Sequence, residues 1–206
     1  AIRLAVSPIE GLTGTYVYIE NVNRVFGTHH PSKTGMSLSA ASANLLMSSH
    51  VIHAAYTGMP MLNVSLYGYL LDFDDVPAVS NKTLGLRLTG AVPVGSDMKL
   101  LYTAEYADQS DYADGASTID ADYSLFELGA SAKGATMKFS REVLGGDGAY
   151  AFATPLATLH AFQGWADKFL VTPVNGVEDL FATLSYDAAG VKLAAVYHIF
   201  TSDSAD

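Results

Sequence analysis

Residues Thr83 to Ala91 read TLGLRLTGA. Leu84, Leu86 and Leu88 fall on one face of an extended chain, and Thr83, Gly85, Arg87 and Thr89 fall on the other. A period of two is the side-chain period of a β-strand. In a sandwich the apolar face packs on a core and the polar face meets water. In a membrane barrel the apolar face meets lipid and the polar face meets a wet lumen. One strand does not choose between these two settings, but the spacing of its neighbours does.

Similar alternation runs outward in both directions. Upstream, Leu62, Val64, Leu66 and Leu70 oppose Asn63, Ser65, Tyr67 and Tyr69, and Ile52, Ala54 and Tyr56 oppose His53 and Ala55. Further back, Val17 and Ile19 share the expected apolar face of a strand from Thr13 to Phe26, against Tyr16, Tyr18, Glu20 and Arg24. Ile2 to Val6 reads as the end of a strand before a turn. Downstream, Leu100, Tyr102, Ala104 and Tyr106 oppose Lys99, Thr103 and Glu105. Phe126, Leu128, Ala130 and Ala132 oppose Glu127 and Ser131. Met137, Phe139 and Val143 oppose Lys138, Ser140 and Glu142, with Arg141 breaking the apolar side. Leu180, Ala182, Leu184 and Tyr186 oppose Thr183 and Ser185, and Leu193, Ala195, Tyr197 and Ile199 oppose Lys192 and His198.

From Gly27 onward the connections alternate between long and short. The long ones are Gly27 to Ser48, Asp72 to Lys82, Asp108 to Asp120 and Gly145 to Val177; the tight ones lie near Gly58, Gly95, Gly134 and Gly190. An antiparallel meander puts alternate connections at opposite ends, so all long segments gather at one end. Transmembrane barrels sort their loops in this way, and soluble sandwiches have no reason to. The expected fold is all-β, an antiparallel up-and-down transmembrane β-barrel with about ten strands in this chain, part of a larger barrel. Tyr56, Tyr102 and Tyr186 fall near the short-turn end of the apolar faces and Tyr106 and Tyr197 towards the other end, as two aromatic girdles would.

Composition agrees. The 206-residue chain is 50% hydrophobic and only 16% charged, yet it contains no apolar run long enough for a membrane-spanning helix. Net charge is -10, without the basic footprint of a nucleic-acid binder. Cysteine is absent, which excludes disulfides and thiolate metal sites. No basic start followed by an apolar stretch opens the chain, so it is expected to be a mature protein or a fragment.

Several stretches resemble the alginate-export-type outer-membrane porins of Gram-negative bacteria. They are TYVYIENVNRVFG (Thr15 to Gly27), YGYLLDFDD (Tyr67 to Asp75), LLYTAEYADQSDY (Leu100 to Tyr112), ATPLATLHAFQGWADKFLVTPVNGVEDL (Ala153 to Leu180) and VKLAAVYHIF (Val191 to Phe200). The resemblance covers nearly the whole chain and corresponds to the later part of a longer member. It implies that residues 1–206 form an outer-membrane barrel segment that passes solutes. The implied surroundings are outer-membrane lipid and lipopolysaccharide, with small solutes inside and a homo-oligomer as a further expectation. The polar faces depart from the all-basic lining that an alginate polyanion calls for. Arg24, Arg87, Lys99, Lys138 and Lys192 are expected to line the pore together with Glu20, Glu105, Glu127 and Glu142. The expected function is passive diffusion of small polar or anionic solutes. Two alternatives are a soluble β-barrel that binds a small ligand and an outer-membrane hydrolase.

The segment Gly145 to Val177 is too long to be a simple connection. Leu156, Leu159, Phe162, Trp165 and Phe169 have a loose helical spacing after Pro155. The segment is expected either to fold into the pore or to pack outside on neighbouring loops. In the first case His160, Trp165, Asp167 and Lys168 would face the solute. No catalytic residues, metal site or cofactor are expected, because no nucleophile elbow, zinc-protease motif or phosphate loop occurs. The acidic segments Asp72 to Asp75 and Asp108 to Asp122 lack a calcium-loop pattern and read as solvated loops, and His29-His30 reads as surface.

Overall fold

The computed structural model describes residues 1–23, 44–156, 163, 166, 168–188 and 190–204. They form ten strands: β1 (Ile2–Ile9), β2 (Leu12–Asn23), β3 (Asn44–Met59), β4 (Leu62–Leu71), β5 (Asn81–Val94), β6 (Met98–Asp111), β7 (Asp120–Ala132), β8 (Ala135–Leu144), β9 (Val177–Ala188) and β10 (Val191–Thr201). Spatial order follows sequence order from β1 to β10, and every neighbouring pair is antiparallel. This up-and-down meander is a partial barrel. Among the described residues there is no α-helix, only a single 3₁₀ turn at Pro77–Val79.

Register sorts the side chains. Arg87 lies opposite both Ser65 and Glu105, and Thr103 lies opposite Glu127, which in turn faces Ser140. These residues share the inner face. One step along each strand, Leu66 pairs with Leu86, Leu86 with Tyr106, and Leu128 with both Tyr102 and Phe139. These share the outer face, which no described residue covers: Leu66 is 54% exposed, Phe139 58% and Leu128 70%. A sheet that leaves a continuous band of Leu, Phe and Tyr uncovered is built for an apolar solvent.

The leading strand thus sits as its alternation predicts, and so do its neighbours from β3 to β10. Strand β2 is reversed. Val17 pairs with Val51, which pairs with Tyr69 on the inner face, while Tyr16 pairs with Ile52 on the outer face. The tyrosines find polar company outside, where the Tyr16 hydroxyl lies 2.7 Å from His50 Nδ1. Glu20, expected to line the pore, continues the Tyr16–Tyr18 alternation instead. It is exposed, at a register shift between Ile19 and Asn21.

The tight turns Glu10-Gly11, Pro60-Met61, Gly95 to Asp97 and Lys133-Gly134 are at one end. The connection between β4 and β5, at the other end, is packed. Phe73, in the acidic stretch, is fully buried with Leu45, Met47, Leu71 and Val76. Its amide donates to Ser80 Oγ at 2.9 Å, and the Leu46 amide donates to Asp75 at 2.8 Å. That stretch is a folded cap, not the solvated loop its acidity suggests. His29 and His30 lie outside the described residues.

Candidate functional site: the inner face beneath the longest connection

The alternating strands place a band of polar side chains across the inner face. Arg87 Nη1 pairs with Glu105 Oε2 across β5 and β6. The other oxygen of Glu105 accepts from the Tyr67 hydroxyl at 2.6 Å. Tyr67 has room because its cross-strand partner is Gly85: a Cβ there would overlap the phenol ring. Towards the short turns, Lys138 Nζ lies 2.9 Å from Glu127 Oε1, and Ser140 donates to Glu127 Oε2 at 3.1 Å. Towards the long loops, Glu142 accepts from the Tyr123 hydroxyl at 2.7 Å. Next to it in register is Asp179, which contacts His198 Nδ1 at 2.8 Å.

The described residues of the longest connection lie against this wall. Phe152 is buried with Ala107 and Leu144, and its ring centroid is 5.5 Å from that of Tyr123. Thr172 donates to the Phe152 carbonyl at 2.7 Å. Further along, buried Gln163 donates to Glu142 Oε2 at 2.9 Å. Between wall and segment is a cavity of about 490 Å³. Tyr67, Arg87, Glu105 and Tyr123 line its wall side, and Phe152, Leu156 and Gln163 its loop side. A second space, on the short-turn side of Arg87, is bounded by Glu127 and Lys138. Arg87 therefore stands between two water-accessible volumes, with its guanidinium partly exposed.

Outside the strands, the loop begins with a tight turn. Asp147 accepts from the backbone amides of Ala149 and Tyr150 at 2.8 Å each, which holds its carboxyl below the usual range. Burial pushes the Tyr150 hydroxyl up to about 12.

Of the residues singled out in the sequence, Arg87, Glu105, Glu127, Lys138 and Glu142 are brought together on one wall. Lys99 and Lys192 are on the same face near the short-turn end, both exposed. Lys168 is exposed in a turn, and Leu159, Phe162 and Trp165, which carry the helical spacing, lie outside the described residues. Arg24, His160, Trp165 and Asp167 lie outside the described residues. Sequence reading missed Tyr67, Tyr123, Phe152 and Gln163 as site residues. Tyr67 was legible in principle, because an inward tyrosine opposite a glycine has space to lie flat across its neighbour.

Among the described residues, no group of His, Asp or Glu is arranged to hold a metal. The site offers fixed charges, hydroxyls and aromatic faces around two cavities on the inner face.

The fold is that of the outer-membrane porin barrels of Gram-negative bacteria. The chain superposes on Pseudomonas aeruginosa OpdL with a TM-score of 0.68 at 21% identity, covering 95% of this chain and 52% of that one. For Pseudomonas aeruginosa OpdQ the TM-score is 0.67 at 18% identity, covering 95% and 53%. For Acinetobacter baumannii OccAB2 it is 0.66 at 14% identity, covering 95% and 49%. The chain thus spans about half the length of these structures. No protein-family model matches it, and no curated protein matches its sequence.

Proposed function

We propose that this chain forms part of the wall of an outer-membrane channel for the passive diffusion of small polar or anionic solutes. The observation that carries the reading is the opposition of the two faces. An uncovered leucine band on one side is backed on the other by Arg87, Glu105, Glu127 and Lys138. A soluble binding module has no use for the first, and a closed core has no place for the second.

In this reading Arg87, Lys99, Glu105, Glu127, Lys138, Glu142 and Lys192 line the lumen. The segment 145–177 narrows it, with Lys168 and the neighbouring His160, Trp165 and Asp167 as candidates to meet the solute. The finer assignment to an alginate-export-like channel rests on the sequence resemblance, strongest in Ala153 to Leu180. The mixed charge of the wall favours small solutes over a polyanion. Lipopolysaccharide at the outer leaflet and a homo-oligomer belong to the same proposal, as does the absence of an enzymatic activity.

Liposome swelling tests the function. Vesicles containing the full-length protein are expected to admit small sugars and small carboxylates, with rates falling as solute size grows. Tight vesicles containing correctly folded protein would overturn the channel reading.

A further inference from the structure

We infer that Gln109 is the positioning residue that pins the long connection to the barrel wall and so sets the width of the passage. This rests on the channel reading above. Gln109 is on the inner face of β6, 1% exposed. Its amide oxygen accepts from the Ala153 backbone N–H at 2.8 Å and from the Tyr150 hydroxyl at 2.8 Å. Its amide nitrogen donates to the Ala153 carbonyl at 3.0 Å and to Thr83 Oγ1 at 2.9 Å. A primary amide has two donor hydrogens and two acceptor positions, and all are used here. The side chain therefore grips both backbone groups of Ala153, as a neighbouring strand would grip a peptide.

The consequences follow from position. Ala153 and Phe152 form the loop side of the cavity, whose wall side includes Arg87 and Glu105. Thr83 fixes the Gln109 amide to β5, and Tyr150 fixes the loop's entry to the same oxygen. No charge is involved, so the grip is insensitive to salt. Replacing the amide removes the grip and leaves two backbone groups of Ala153 to be satisfied by water, which favours a loop displaced from the wall. Gln109 acts through the loop and not on the solute.

The test uses the full-length protein. Because these 206 residues contain no cysteine, Thr154→Cys supplies the one thiol they carry, on the cavity. In the Gln109→Ala background, labelling of that thiol by a small charged methanethiosulfonate should speed up about tenfold. Single-channel conductance should rise and fluctuate more between levels. Gln109→Glu keeps the size but presents an oxygen to the Ala153 carbonyl, and should behave like the alanine variant. Tyr150→Phe, a change in the loop that spares the wall, should give a smaller shift in the same direction. It serves as the readout if the Gln109 variants do not insert. Unchanged labelling and conductance in folded variants would overturn the inference and leave the channel reading intact. If the unaltered protein does not conduct, the channel reading fails, and labelling alone decides whether Gln109 holds the loop.

Discussion

Arg87 on β5 and Glu105 on β6 are cross-strand partners on the inner face, joined as an ion pair. The Tyr67 hydroxyl takes the remaining oxygen of Glu105. The guanidinium is more exposed than the carboxylate, so the pair presents its positive member to the cavity.

Glu105→Gln removes the negative charge and leaves Arg87 unneutralised. We expect the reversal potential in a salt gradient to move towards anion preference. The stability cost should stay below about 1 kcal/mol, because the pair is partly solvated. Arg87→Gln should move the potential the other way. Identical potentials in both variants would remove this pair from the selectivity-determining wall.

Leu66→Arg tests the outer face. On the surface of a soluble protein, a charge at an exposed leucine changes stability by less than about 0.5 kcal/mol. Facing the bilayer midplane it costs about 2–4 kcal/mol. We expect reduced folding into lipid vesicles, measured by heat-modifiable migration or urea titration, while Ser65→Arg on the inner face is tolerated better.

Gly85→Val places a side chain where the Tyr67 ring lies. The ring must swing away and break its hydrogen bond to Glu105. The expected result is a changed conductance with the barrel still folded, partly rescued by pairing the change with Tyr67→Ala. Failure of the second change to rescue would show that Gly85 serves the strand backbone instead.

At the start of the long connection, Asp147 holds the 147–150 turn by accepting two backbone amides. These bonds favour the carboxylate and lower its folded pKa. Their contribution is therefore present at neutral pH and lost only as pH falls through that depressed value. Hydrogen exchange at Ala149 and Tyr150, corrected for intrinsic rates, should be constant from about pH 7 to about pH 4 and lose protection below. Loss near pH 6 would assign the turn to a different group.

The eight strands from β3 to β10 carry their faces in their sequence because lipid and lumen demand opposite side chains at alternate positions. Leu84, Leu86 and Leu88 against Arg87 leave no ambiguity. Strand β2 does, because its inner face is Val17 and Ile19 and its outer face is Tyr16 and Tyr18. Tyrosine is at home at a membrane surface, so polarity misassigns the faces. Only the pairing of Val17 with Val51 settles them. The charged wall was legible for the same periodic reason. The packing of the long connection was not. It depends on Gln109 reaching Ala153 and on Glu142 meeting Gln163, contacts between residues far apart in sequence that leave no period behind. The burial of Phe73 within an acidic stretch escaped for a similar reason, since charge composition describes the rim of that cap and not its centre.

The central claim is that the inner face lines an open passage through a membrane. Single-channel recording of the full-length protein in a planar bilayer tests it most directly. The account predicts ohmic unitary steps whose ion selectivity shifts in opposite directions with Arg87→Gln and Glu105→Gln. Silent membranes containing folded, inserted protein, with the same silence after Gln109→Ala, would contradict it.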